Sequence, residues 1–568
     1  MLDKESKKDY YFIYCIVLIV VSLPLLGIDA YRGHDTGFHI QRIISIKNAI
    51  LEGRIPVRIY TEAINGYGYG APLFYPDIFL YIPALLCVIG IPVTVSYNIF
   101  LILINVITLY IAVYSFSRIS SSKTIGIMAA VLYESSIYRL VDLYTRGSMG
   151  EYLALMFIPL IFLGLTFVIQ GKKDKWYILG LGFTGVLQSH ILTFVIMVAL
   201  TGIVILINIK KILEKDKIFM LIKATVVTIL INAWFLIPFL SVSDMNVIAM
   251  MPDEKFWNTD AQLIQLFEVS SLSVSGGETF SQGITNSIPK TVGIPIIVGC
   301  IMMAYTLISK ERRKDIPNRH RKVIIGALIT GSIGVIMTTN LFPWKIISKI
   351  GILKQFFEKF QFMWRFNIVA VLFLSLAAAY GYYCTFGKSI NGKRILIIVC
   401  AIASMYSLCF VCNYAKTVGS FDSKEAYEMG YSDDLYLLRE NRIFDREELE
   451  SNAENIEYTD YKRGNSTVSF SYEIKDTDNK DFYIDVPITF YPVYVAYEDG
   501  KQIEVTQSDS GVVRVNITKK TGAIIVEYKE SISYRTAEII SLISLIGVGG
   551  DFIFKHTKKL KNKRRNVC

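Results

Sequence analysis

The stretch that decides the fold is Tyr11-Phe-Ile-Tyr-Cys-Ile-Val-Leu-Ile-Val-Val-Ser-Leu-Pro-Leu-Leu-Gly-Ile28, followed at once by Asp29-Ala-Tyr-Arg-Gly-His-Asp-Thr-Gly-Phe-His39. The first part is an apolar run of membrane-spanning length, preceded by Lys4, Lys7 and Lys8. Its length, and the lack of a clear small-residue cleavage site, predict a retained anchor that starts inside and leaves Asp29 onward outside. The second part puts two histidines and two aspartates where the chain emerges.

Working outward, the same apolar character recurs along the chain, for example at Thr291–Ser309 and Ile395–Val411. Of the 568 residues 52% are hydrophobic and 19% charged, with a mean hydropathy of +0.42, against about 25% charged in soluble domains. A soluble enzyme, a fibrous protein and a disordered chain are excluded; the chain is a polytopic membrane protein. The net charge of +10 divides unevenly. Between Asn413 and Thr536 there are 24 acidic and 15 basic residues, a balance of −9 that leaves +19 for the remainder. The excess sits in short clusters beside apolar runs, the positive-inside pattern, and points to no nucleic acid. Cys15, Cys87, Cys300, Cys384, Cys400, Cys409 and Cys412 lie in or beside apolar runs and Cys568 ends the chain. No disulfide framework or metal-ligand spacing follows.

Basic clusters at Arg118/Lys123, Lys172–Lys175, Lys210–Lys217, Lys310–Lys322, Lys388–Arg394 and Lys555–Arg565 are read as inside. Alternation then predicts about twelve spans: 11–28, 95–116, 124–140, 151–170, 176–190, 191–209, 218–240, 291–309, 323–339, 367–385, 395–413 and 536–554. Both termini fall inside. Pro72–Ile91 carries Pro76, Asp77 and Pro83 and reads as re-entrant or surface-lying. The predicted organisation is a transmembrane domain over 1–413, an outer soluble domain over 414–535, and a final membrane helix with a basic tail over 536–568. The outer loops are 29–72, 142–150, 241–290 and 341–366. In the first, Ile40, Ile43, Ile44, Ala49, Ile50 and Leu51 fall at helical spacing, predicting an amphipathic helix along the membrane surface. The soluble domain alternates in β fashion over Ser466–Ile474, Phe482–Tyr497, Gly511–Lys519 and Ala523–Tyr528, and Asp499-Gly500 predicts a hairpin. A small antiparallel β-domain is expected.

The candidate chemistry gathers at the outer face, where an ionisable residue near a membrane helix is expensive and often functional. Asp35 and His39 lie four apart, on one face if helical. Asp35 could act as a base towards a hydroxyl, or hold a divalent cation (Mg2+ or Mn2+) with a histidine; it could equally cap a helix. His34 adjoins it. Arg146 and Glu151 flank the next short loop, where an arginine fork suits a phosphate and a glutamate suits a helix start; the alternative is a loop-stabilising Arg–Glu pair. Glu134 and Arg139 could form a similar structural pair. His190 falls at the tip of a predicted helical hairpin. Gln361 and Arg365 lie in Lys354-Gln-Phe-Phe-Glu-Lys-Phe-Gln-Phe-Met-Trp-Arg-Phe366, whose cations and aromatics suit a lipid-linked phosphate or an ordinary aromatic belt. Asn465 and Asn516 stand in Asn-x-Ser/Thr sequences. No Walker, dinucleotide or zincin motif occurs, which disfavours a nucleotide-driven pump.

Gly33-His-Asp35, Leu51-Glu-Gly-Arg-Ile-Pro56, Gly66-Tyr-Gly68 and Pro72-Leu-Phe-Tyr-Pro76 together resemble the first outer loop of bacterial YfhO-like proteins, and of the membrane proteins called 6-pyruvoyl-tetrahydropterin synthase-related. Tyr491-Pro-Val-Tyr-Val-Ala-Tyr-Glu-Asp-Gly500, Thr521-Gly522 and Val526-Glu-Tyr528 resemble the YfhO-like C-terminal β-domain. Both families are similar to the GT-C superfamily of polyprenyl-phosphate-dependent glycosyltransferases. Nothing resembles the soluble pterin synthase, whose zinc site needs clustered histidines; this chain has five in all. The resemblance implies a transferase working at the outer interface of a bacterial plasma membrane. It implies Asp35 as base or metal ligand, Glu151 as a second catalytic acid, and His34, His39, Arg146, His190, Gln361 and Arg365 around the substrates. The implied partners are a polyprenyl-phosphate-linked sugar, an envelope polymer or lipid acceptor, and membrane lipids. In place of the superfamily's usual paired acids there is a single Asp35, which leaves metal dependence open. The rival expectations are a flippase for lipid-linked sugars, which needs charges at mid-membrane, and a non-catalytic envelope-assembly protein.

Overall fold

The computed structural model describes residues 7–245, 247, 261, 263–267, 288–314, 316–387, 392–431, 436–437, 448–464, 467–475 and 482–565. Most of the expected outer loop 241–290, Asn465 and Cys568 lie outside these residues. Two compact units emerge: Met1–Ile40, Ile82–Thr225 and Met251–Glu428 form one, and Gln41–Tyr81, Val226–Met250 and Met429–Cys568 the other.

The first unit is a helical bundle. Across the described residues of the chain, six helices are long and apolar enough to cross a membrane: Val93–Ser120, Met149–Ile169, Asn318–Thr338, Met363–Phe386, Arg394–Ala415 and Ile532–Gly550. Two bent pairs raise the number to eight. Lys123–Glu134 with Ile137–Thr145 turns by 44°, and Lys215–Ile231 with Ala233–Ser241 by 67°. These eight match eight of the twelve predicted spans. The other four meet shorter helices, namely Tyr10–Leu26, Tyr177–Leu187, Ile191–Ile207 and Ile294–Ile308. At 1.5 Å per residue, Tyr177–Leu187 reaches roughly 16 Å, about half the hydrocarbon thickness. Length therefore supports six to eight crossings rather than twelve. Pro72–Ile91 breaks into Ala71–Phe74, Ile78–Leu80 and Tyr81–Val88, all too short to cross.

Small residues bring the bundle helices together, as expected where lipid tails supply no hydrophobic drive between them. Gly299 and Gly381 let Ile294–Ile308 and Asn367–Phe386 touch through their backbones; a Cβ at Gly381 would strike the Gly299 carbonyl. A two-stranded clip, Ala30–Tyr31 against Ser420–Phe421, joins the start of the first loop to the chain beyond the helix Gly392–Thr417. Arg32 adds a main-chain bond to Gly419 at 2.9 Å and an ion pair with Glu425.

The second unit is built on two antiparallel sheets. One orders the strands Glu450–Ser451, Phe482–Thr489, Val512–Ile517 and Val505–Gln507. The other orders Ile456–Arg463, Thr467–Ile474, Thr521–Tyr528, Tyr494–Glu498 and Lys501–Ile503. Alternate residues such as Val468, Phe470, Ile484, Val486, Val513, Val515, Ile524 and Val526 make a common core. The Asp499-Gly500 hairpin forms as predicted, with φ of 48° and 81° and Glu498 opposite Lys501. The expected single strand Phe482–Tyr497 is instead two strands on different sheets. Pro492 offers no N–H to a ladder, and the chain changes sheet between Thr489 and Tyr494.

The first loop also contributes to this unit. Gly70 has no room for a Cβ because the Tyr491 ring lies against it, and Thr489 N–H donates to the Tyr67 carbonyl at 2.7 Å. Ile59 and Leu73 join the core between the sheets. The segment Gln41–Tyr81 and the C-terminal strands therefore belong to one unit. Arg58, 1% exposed, pairs with Glu538 at 3.0 Å and Glu530 at 3.7 Å, where the final helix begins. The predicted amphipathic helix is present as Thr36–Leu51. Its Ile40, Ile43 and Ala49 are fully buried against protein, however, where a membrane-surface helix would present them to lipid.

Candidate functional site

The site grows from a glycine. At Gly33 a Cβ would collide with the Tyr144 carbonyl, the Gly147 nitrogen and Thr36 Oγ1, so only glycine lets the loop lie this close to the turn after Val141–Thr145. Two main-chain bonds seal the contact: His34 N–H to the Thr145 carbonyl at 3.1 Å, and Asp35 N–H to the Arg146 carbonyl at 2.8 Å. The Asp35 carbonyl then accepts from His39 N–H at 3.1 Å, opening the helix Thr36–Leu51. Asp35 is thus fixed beside Arg146 by backbone.

Arg146 reaches two carboxylates through Nη1, Asp142 and Glu151, the latter at 2.9 Å. Arg365 donates from Nε to the same Glu151 Oε2 at 3.2 Å, and Tyr138 donates its hydroxyl to Oε1. Arg365 is steadied by its Nη1, which bonds the Phe360 carbonyl and Gln361 Oε1, each at 2.8 Å. Gln361 adopts a left-handed backbone (φ 65°), a conformation that non-glycine residues hold only where surroundings enforce it. Glu151 and Asp142 are wholly buried. In this dry setting the two arginines neutralise the two acids, as buried charges require.

Asp35 is half-buried, and its carboxyl group feels the charges of this cluster. Burial raises its pKa above the ordinary aspartate value, against the pull of Arg146, His34 and Arg365 and with the push of Glu151. A carboxylate held above its usual range is a better base near neutral pH.

The structure therefore assembles Asp35, Arg146, Glu151 and Arg365, drawn from three distant segments, with Gln361 behind Arg365. The Arg146–Glu151 pair, one of the two alternatives weighed from sequence, is formed. His190 feels the charges of Arg365, Glu151 and Arg146, and its Nδ1 caps the helix Ile191–Ile207, 2.8 Å from Thr193 Oγ1. His34 is exposed, and His39 is buried against the Phe38 ring. Glu134 and Arg139 form the expected pair at 2.8 Å, with Arg139 also bonded to Asn105 and Thr108 and lying over the Tyr152 ring.

Sequence reading missed Tyr138 and Asp142. Asp142 stands four residues before Arg146, the spacing of an intrahelical ion pair, and that signal was available. Its Oδ2 is buried with no partner among the described residues. Among those residues no three His, Cys, Asp or Glu side chains stand together as a metal cage. A divalent ion at Asp35 would have to draw its other ligands from water and a substrate phosphate.

No protein-family model matches the chain. An uncharacterized protein of Lactococcus lactis subsp. cremoris (strain MG1363) is 24% identical over 196 residues, 34% of this chain and 32% of that protein. The chain thus matches about a third of the length of that curated relative. Among solved structures, the arabinofuranosyltransferase AftD from Mycobacteria aligns with a TM-score of 0.44 at 14% identity, over 74% of this chain and 28% of AftD.

Proposed function

We propose that this membrane protein is a GT-C-type glycosyltransferase. In this reading it moves a sugar from a polyprenyl-phosphate donor to an envelope glycopolymer or lipid at the outer face of a bacterial plasma membrane. The observation that carries the proposal is the fixing of Asp35 by main-chain bonds beside the Arg146–Glu151–Arg365 cluster. Asp35 takes the proton of the acceptor hydroxyl, whose oxygen attacks the anomeric carbon. The bond from that carbon to the lipid phosphate breaks, and the phosphate leaves with the electron pair. Arg146 and Arg365 meet the developing charge as preorganised donors do.

The test is transfer from a radiolabelled polyprenyl-phosphate sugar pool into envelope fractions, comparing wild type with Asp35→Asn at equal membrane abundance. Transfer in wild type, lost by about 100-fold or more in the variant, fits a general base. Equal transfer in both removes Asp35 from that role.

One observation favours a second reading, a flippase for lipid-linked sugars. Lys123–Glu134 and Ile137–Thr145 form a broken span with the buried Glu134–Arg139 pair at its break, and broken helices with buried charge mark transporter sites. Protein-dependent movement of a labelled lipid-linked sugar across vesicles, without transfer from any donor, would select it.

A further inference from the structure

The helices Lys7–Ser22 and Val93–Ser120 run side by side and are hydrogen-bonded towards one end. There Asn105 Nδ2 donates to Ser22 Oγ at 2.9 Å, and Asn98 Nδ2 to the carbonyls of Gly27 and Asp29 at 3.1 and 2.8 Å. Towards the other end a cavity of about 430 Å³ opens between them, well within the size range of ligand pockets. Its walls are mostly apolar: an aliphatic slot of Leu18 from one helix and Val106, Leu109 and Val113 from the other, together with the rings of Tyr10, Tyr11, Tyr14 and Tyr110. At its mouth stands Lys123, exposed, with Nζ 4.3 Å from the centre of the Tyr10 ring. That mouth belongs to the Arg118/Lys123 cluster that the charge rule assigns to the inner face. The outer cluster around Asp35 includes none of these residues.

We infer that this groove is a binding site for an anionic phospholipid of the inner leaflet. One acyl chain fills the aliphatic slot and the phosphate meets Lys123. The charge at the rim selects the occupant. A zwitterionic lipid would satisfy the walls, but its own ammonium offsets its phosphate, whereas a net-negative headgroup leaves an uncompensated charge to meet Lys123. The Tyr10 ring holds the ammonium over the mouth through a cation–π contact and fixes where the phosphate sits.

The full-length protein in mild detergent, stripped of lipid, is incubated with equal amounts of phosphatidylglycerol and phosphatidylcholine of identical chains. Bound lipid is then counted by native mass spectrometry. Wild type is expected to retain phosphatidylglycerol about 5-fold over phosphatidylcholine, the preference one cation at the surface supplies. Lys123→Glu is expected to abolish the preference and Lys123→Arg to keep it. Val106→Trp, filling the slot, should reduce retention of both lipids. Lys310→Glu, an exposed cation in another inner cluster, should change nothing. Equal retention of the two lipids by wild type overturns the inference, as does a preference that survives Lys123→Glu or is lost equally in Lys310→Glu. If Lys123→Glu does not fold, undiminished retention in Val106→Trp overturns it instead.

Discussion

Replacing Glu151 by glutamine keeps the side chain's shape and removes its charge. In the wild type that carboxylate accepts from Arg146 at 2.9 Å, from Arg365 at 3.2 Å and from the Tyr138 hydroxyl. Arg146 would then keep Asp142 while Arg365 loses its carboxylate partner, leaving an excess positive charge in a site where all four groups are at most 5% exposed. Removing one partner of a buried pair costs about 3–5 kcal/mol, and that is the expected loss of stability. It can be followed in detergent by heating with a thiol-reactive dye in a background with the exposed Cys15 and Cys409 changed to Ser, so that buried Cys87 and Cys400 report the opening of the bundle. Adding Arg365→Gln should recover part of the loss, with a coupling of about 0.5–3 kcal/mol. The substitution also acts on Asp35. The Glu151 charge pushes the Asp35 pKa up, so its loss lowers that pKa. A base works only once deprotonated, so the rising acid limb of the pH–rate profile should move to lower pH. A stability loss under about 1 kcal/mol, the ordinary cost of a point substitution, would refute the buried-pair argument. A limb moving to higher pH would refute the link from Glu151 to Asp35.

Other outcomes follow from single contacts. Gly33→Ala drives a methyl into the Tyr144 carbonyl and the Gly147 nitrogen, and should lower transfer by about 100-fold through misplacement of Asp35 while the Cys400 melting profile shifts little. Asp77 is buried, and burial raises its pKa to about 6 against the pull of Arg42 and Arg58. Its stabilising contribution is full below the ordinary aspartate pKa and is lost as pH rises through about 6. Wild type should therefore lose stability between pH 4 and 7 in a melting series, and Asp77→Asn should not show that loss. In the β-sheet unit, Arg514 grips Asp485 with two bonds of 2.7 and 2.9 Å; Asp485→Asn should cost about 1–3 kcal/mol, read as earlier protease nicking of that unit.

Much of this was legible in the sequence because it rests on local pattern. Long apolar runs mark the helices, Asp499-Gly500 marks its hairpin, and Glu134 and Arg139 sit close enough in sequence to pair. Four of the predicted spans fell short because hydropathy averages across breaks: Tyr177–Leu187 stops where His190 starts a new helix cap, and a running average does not see it. The switch of sheets between Thr489 and Tyr494 escaped for a similar reason, since alternation continues through Pro492. At the site, Asp35 stood out by its place after a span, but Tyr138 and Asp142 did not. Asp142 carried a local signal, its four-residue spacing to Arg146, whereas Tyr138 meets Glu151 across the turn between Thr145 and Met149, and no local signal states how such a turn will fold. The burial of Ile40, Ile43 and Ala49 was equally hidden, because periodicity identifies an apolar face without saying whether protein or lipid covers it.

The clip between Ala30–Tyr31 and Ser420–Phe421 bears on how the protein is made. Its ion pair, Arg32 to Glu425, joins residues 393 positions apart. At about 5–20 residues per second, the ribosome needs roughly 20 to 80 s to deliver the second half of the clip after the first. Throughout that interval the segment bearing Asp35 waits in the nascent chain without the strand that anchors it. A chain released before Ser420 would carry most of its helices and still lack the strand that holds the segment bearing Asp35. Completion of the site is thus timed by the arrival of a two-residue strand about three-quarters of the way along the sequence.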